Sequence, residues 1–234
     1  MDNVIIRKTF RYAGMAGLLL IITNAFLFLI LPMKSGPMPD GFRMPLVAFE
    51  FLKTESETEI MFYDSGTEER GKLINAMDTA NKVDFFFMAC YTTFLVLYAA
   101  ALFMESRNKI YYAGIFLALL VCVADLMENL QMLSITSKLG YGGYSHELWR
   151  LNQYTWMKWG CLSVNMLLLS WQQFRNSGFY FSLSAIATAA SLTGVIAFIH
   201  RGIFNEIFLG LLAVCFALMI ASCFFKRPAP PILP

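Results

Sequence analysis

Residues Ile110–Leu133 read IYYAGIFLALLVCVADLMENLQML. At 1.5 Å of rise per residue, this stretch forms a helix of roughly 36 Å, longer than the ~30 Å hydrocarbon layer of a bilayer. No charge interrupts it before Asp125, and apolar residues cover all its faces, as expected of a helix surrounded by lipid or protein. Five other stretches share this character: Tyr12–Pro32, Asn81–Met104, Thr155–Trp171, Phe179–Ile199 and Ile203–Phe225. The sequence therefore predicts an all-α, polytopic membrane bundle of six transmembrane helices, with 1–234 forming one domain. Thr155–Trp171 is the shortest span and carries Lys158 near its start. Only His200, Arg201 and Gly202 separate the last two spans, which leaves room for a tight hairpin.

Composition agrees with this pattern. Of the 234 residues, 58% are hydrophobic and 15% charged, against roughly 45–50% and 25% in soluble domains. A soluble fold of this length would expose large apolar patches. The bilayer is thus the first expected partner. Net charge is only +2, and the scattered Lys and Arg residues offer no basic face for a phosphate backbone, so nucleic acid is not an expected partner. Cys90, Cys122, Cys161, Cys215 and Cys223 all fall in apolar runs without metal or redox spacing; they read as packing residues.

The first span follows Arg7, Lys8 and Arg11. Its apolar core exceeds the roughly 7–15 residues of a cleavable signal and no small-x-small site follows, so it reads as an uncleaved anchor. Helix alternation places the N-terminus, Glu105–Lys109, Gln172–Gly178 and the C-terminal tail on one side. That side carries Arg107, Lys109, Arg175, Lys226 and Arg227 in short segments. The positive-inside rule assigns both termini to the cytoplasm of a plasma or inner membrane. Trp149, Trp156 and Trp159 are expected in the outer interfacial belt and Trp171 in the inner one.

The first outer loop, 33–80, contains the apolar run Pro45–Leu52 and then helix-start signals. Thr54 and Glu57 have capping-box spacing. Thr67 precedes Glu68 and Glu69, whose charge suits a helix N-terminus. Two short helices over the bundle are expected, the second running into span two. The Pro-rich tail Arg227–Pro234 should be extended. Small residues recur in span five (Ser184, Ala187, Ala190, Ser191, Gly194) and span six (Gly210, Ala213, Ala217, Ala221), predicting close packing of these two spans.

The residues that demand explanation are ionisable groups inside or beside the spans: Lys82, Asp84, Asp125, Glu128, Lys158, His200 and Glu206. A charge at mid-bilayer costs roughly 2.5–3.5 kcal/mol on insertion scales, so each needs a partner, water or neutralisation. Alternating helix direction puts all of them toward the same face of the membrane. Asp125, Glu128 and Asn129 share one helix face by i, i+3 and i, i+4 spacing, and Tyr91 lies two turns from Asp84. Close carboxylates in a poor dielectric require a cation, Lys158 or Lys82, or a retained proton. Asp84, Tyr91, Asp125, Glu128, Asn129 and Lys158 are accordingly the candidate ligand-binding or proton-coupling residues. His200, Glu206 and His146, the last in the Gly140–Tyr144 loop region, read as interfacial or solvated groups.

No P-loop, G-x-S-x-G or H-E-x-x-H motif occurs and histidines number two, so no cofactor or metal is expected; lysines beside the acids also argue against a carboxylate metal site. Three functions fit this reading. The first is a small protein binding or transporting a small polar ligand or lipid through a pocket in the outer half. The second is a membrane enzyme acting on a lipid head group with Asp125 or Glu128 as acid or base. The third is a structural subunit in which the cluster is only a clasp.

Overall fold

The structure is a computed structural model that describes residues 3–32, 35–39, 41–63, 67–171 and 178–225. Every regular element among them is helical: α1 (Asn3–Ile30), α2 (Pro45–Glu50), α3 (Glu55–Tyr63), α4 (Thr67–Ser106), α5 (Ile110–Lys138), α6 (Ser145–Ser170), α7 (Phe179–Ile199) and α8 (Ile203–Ser222). Five of these, α1, α4, α5, α7 and α8, are long and apolar enough to cross a bilayer. The chain is thus a multi-pass helical membrane bundle. The Pro-rich tail and most of the Gln172–Gly178 turn lie outside the described residues.

Each long helix packs chiefly on its sequence neighbours: α4 against α1 and α5, α5 against α6, and α6 and α8 against α7. Short connections leave the other pairs little choice, whereas α1 and α4 meet although residues 31–66, with α2 and α3, separate them. The ends also meet. Tyr98, late in α4, pairs with Ser222 of α8 at 2.9 Å, and Phe10 of α1 lies edge-on to Tyr98. At this end α1 and α8 cross closely: a Cβ on Gly17 would fall 2.4 Å from Ile220 Cγ1, and one on Gly14 2.5 Å from Phe224.

At the opposite end α4 runs unbroken from Thr67, 40 residues in all, or about 60 Å. The expected start at Thr67 and continuation into span two are therefore found. The start of α3 is capped as well: Thr54 Oγ1 accepts the N–H of Glu57 at 3.1 Å. Glu57 reaches back to Lys53 N at 2.8 Å, one residue before the partner a strict capping box would use. Arg201 donates to both carboxylate oxygens of Glu57 (2.7 and 3.1 Å), tying the α7–α8 turn to α3.

One element was not expected from the sequence, and two expectations need correction. The unexpected element is the run Pro45–Leu52. It forms α2, headed by Pro45 at the helix start where its missing N–H costs nothing, and it contacts α5 and α6, with Val47, Ala48, Phe49, Phe51 and Leu52 at most 2% exposed. Trp159 is no belt residue, being 5% exposed, whereas Trp149 and Trp171 are over 60% exposed. Finally, α7 and α8 do pack, but through Gly194 against the Phe208 ring. The Gly210, Ala213 and Ala217 stripe of α8 is exposed. The small face of α7 instead seats on α6, where Ser184 and Ser191 donate to the Ser170 and Ser163 carbonyls at 2.6 and 3.3 Å.

Candidate ligand-binding site

Four helices bring their polar residues to one place. The Asp125, Glu128 and Asn129 face of α5 points inward, at 5%, 0% and 4% exposure, because lipid on the other faces would leave these groups without partners. α6 presents Lys158 to it. The ammonium lies 2.7 Å from Glu128 Oε1, 3.2 Å from Asp125 Oδ1 and 3.3 Å from Glu50 Oε1. The third carboxylate, at the end of α2, also accepts the indole N–H of Trp159 at 3.1 Å. α2 is held at its other end by Glu206, whose Oε1 accepts Arg43 N and Met44 N at 2.6 and 2.7 Å.

α4 completes the group. Tyr91 donates to Asp125 Oδ2 at 2.8 Å. Asp84 accepts from Asn129 Nδ2 at 2.6 Å, and the same nitrogen lies 3.5 Å from Met88 Sδ. Tyr91, Asp125, Glu128 and Lys158 are thus joined in one network, and Asp84 and Asn129 form a second pair beside it. Lys82, the other cation considered, is exposed on α4. Of the remaining candidates, His200 and His146 are exposed and Glu206 serves α2.

Four carboxylates and one ammonium leave a formal excess of three negative charges. Lys158 occupies the point where Glu50, Asp125 and Glu128 converge, and Asp84 stands outside that shell. Glu128 Oε2 and, on α4, Asn81 Nδ2 are among the buried atoms of the described residues that have no hydrogen-bond partner.

The network borders a cavity of about 260 Å³. Asn81, Asp84, Asp125, Asn129, Lys158 and Glu50 form its polar end, while Leu20, Phe28, Leu212 and Phe216 are among the residues of its apolar remainder. Such a space accommodates a molecule with a polar head and an apolar body, and the acids beside it can hold a cation or exchange a proton.

Beyond the helices, the α5–α6 loop is tied to α3. Glu55 accepts the N–H groups of Gly143 and Tyr144 at 3.2 and 2.9 Å and the hydroxyl of Ser145. The Ser145 hydroxyl and these amides hold its carboxyl below the usual carboxylate range. Tyr144 is fully buried and donates to Glu59 at 2.8 Å; burial and then the Glu59 carboxylate push its phenol up.

Sequence reading missed Glu50, Trp159 and Asn81. For Glu50 a signal existed: it is the lone acid in PLVAFEFL, and a charge in an apolar run was the criterion that found the others. Comparison with family models, curated proteins and solved structures finds no match for this chain.

Proposed function

We propose that the chain spans a plasma or inner membrane six times, with both termini cytoplasmic, and that it binds or transports a small ligand in the cavity beside Lys158. α6 is the sixth span of this reading. Within its apolar stretch Lys158 is 12% exposed at the side chain and Thr155, Asn165 and Ser170 are 1% exposed or less, and α6 is flanked by α5 and α7. A helix so enclosed can carry polar groups that a lipid-facing one cannot.

The observation that carries the reading is a cavity in the bundle lined by acids of α2, α4 and α5 and by mostly apolar residues of α1 and α8. A clasp that only fixed helix order would have no need of adjoining space, and close packing is the norm for protein interiors. The ion pairs of Lys158 do favour a second role as a clasp. The two are compatible, since one ammonium can hold the helices while the remaining acid excess faces the cavity.

The test is native mass spectrometry of the protein extracted with its lipids, alongside Asp84→Asn, Asp125→Asn and Glu128→Gln. The expected result is a defined adduct on wild type that is lost from folded variants. An unliganded wild type that also takes up nothing from a total lipid extract would overturn the proposal. Reporter fusions after Phe225 and within Tyr141–Gly143 test the topology, with opposite sides expected.

A further inference from the structure

The walls of the cavity indicate how a ligand reaches it. On α1 the lining residues Leu20, Ile21, Asn24, Leu27 and Phe28 form one helical stripe, which Leu31 continues just past its end; on α8 they are Leu209, Leu212, Ala213, Phe216, Ala217 and Ile220. These stripes lie on either side of the cavity, yet α1 and α8 touch little compared with α1 and α4. A close approach of the two lies at Gly14 and Gly17, against Ile220, Cys223 and Phe224. At the other end the chain before α2 closes the gap, with Arg43 and Met44 pinned to Glu206 at the start of α8. Between these two closures the cavity reaches the surface: Ile21 is 47% and Phe28 53% exposed, and Asn24, Ala213 and Ala217 are exposed while lining it. The window lies part-way along two apolar helices and is bounded by closures at both ends, so it faces hydrocarbon.

The polar end indicates what is admitted. Lys158 is already surrounded by three carboxylates, so a ligand carboxylate or phosphate would meet repulsion. Asp84 has Asn129 as its hydrogen-bond partner and no ion pair among the described residues, and it lines the cavity together with Asp125. A ligand ammonium would reduce the acid excess. Asn81, 2% exposed and also lining the cavity, has an amide nitrogen without an acceptor. An oxygen beside the ammonium would satisfy it.

We infer that the ligand is a long-chain amine with a neighbouring hydroxyl, that it enters sideways from the bilayer between α1 and α8, and that it seats its ammonium at Asp84. This rests on the cavity being a binding site, and it adds the ligand class and the route. The hydrocarbon chain lies along the two stripes, and the hydroxyl oxygen accepts from Asn81.

The experiment uses full-length protein in lipid nanodiscs with a sphingosine analogue carrying a diazirine in its chain. Photolabelled peptides are mapped by mass spectrometry. Expected is saturable labelling within Leu20–Leu31 and Leu209–Ile220, competed by sphingosine but at least about tenfold less by its neutral N-acetyl derivative or by a fatty acid of equal length. That ratio is the scale of one charge-assisted hydrogen bond. Asp84→Asn should weaken competition by a similar factor and Asp84→Glu should retain it, both in protein shown to be folded by its unfolding temperature. Ala213→Phe and Ala217→Phe should slow labelling without changing its position. Equal competition by the neutral derivative or the fatty acid overturns the amine assignment and leaves the pocket standing. Unchanged labelling rates in both Phe variants overturn the lateral route. Failure of every amphiphile to label these helices saturably overturns the binding-site reading itself.

Discussion

The region around Lys158 and the α6–α7–α8 region solve the same problem by different means. Lipid supplies little hydrophobic drive for helices to associate. α7 answers with small side chains: Ser184 and Ser191 reach the α6 backbone directly, and Gly194 lies against Phe208. Around Lys158, α2, α4, α5 and α6 are joined through long charged side chains. The first solution brings backbones together and fills space. The second holds them at side-chain length, and the cavity adjoins it. Strength of association and room for a ligand are thus separate properties, here assigned to different parts of one bundle.

Removing the cation breaks the comparison most severely. Lys158→Met leaves three carboxylates converging on nothing, and loss of one partner of a buried ion pair costs about 3–5 kcal/mol. The unfolding temperature in detergent should fall further than for any substitution in α7, and Glu128→Gln added to Lys158→Met should restore part of the loss. Trp159→Phe replaces the indole by a smaller aromatic ring and removes one N–H to the Glu50 carboxylate, a hydrogen bond to a charged group worth roughly 1.5–3 kcal/mol. Chemical denaturation in mixed micelles should detect this loss, and no change would mean that Glu50 is held by Lys158 alone.

On the other side of the comparison, Gly194→Leu places a Cβ 3.0 Å from Phe208 Cζ. Overpacking of this kind costs ~1–3 kcal/mol. It should lower thermal stability while leaving ligand uptake by the surviving folded protein unchanged, because Gly194 is not among the cavity-lining residues.

A fourth test sharpens the contrast between buried and exposed carboxylates. The Glu55 carboxyl lies below its ordinary value, so its tether contributes above the unfolded carboxylate pKa and is lost as pH falls through the lower, folded value. Amide-exchange protection of Gly143 and Tyr144, corrected for intrinsic rates, should hold at neutral pH and collapse below the ordinary carboxylate range. Persistence of protection in Glu55→Gln at neutral pH would show the tether to be dispensable. The smallest effect belongs to Glu69→Gln, which removes an ion pair with Lys72 whose side chains are both over 60% exposed. Its effect on denaturation should stay within about 0.5 kcal/mol.

These contrasts were unevenly legible in the sequence. Phe179–Ile199 reads as a span and is a helix with those bounds, because turn-forming residues interrupt long apolar runs at both ends. The gathering of Asp84, Tyr91, Asp125, Asn129, Glu128 and Lys158 was legible as well: a charge in an apolar run has few places to go, and alternating helix direction levels the charges. α2 was not legible, since six residues carry too little periodicity to distinguish a helix from a coil. Glu50 was lost with it. Trp159 was assigned to the interface by composition, but the tertiary contact with Glu50 decides its orientation. The stripe on α8 was assigned to α7 because small residues favour close approach. They also leave openings, and spacing alone does not tell one from the other.

The pairing of Glu50 with residues 108 and 109 positions downstream bears on how the protein is made. Ribosomes deliver α2, α4 and α5 before the ammonium that compensates their acids exists. Segment 45–52 lacks the Lys158 counter-charge until α6 has been made, so its seating belongs to the late steps of biogenesis. A chain halted after Lys138 would therefore hold its acids without Lys158, an exposed state suited to recognition by membrane quality control.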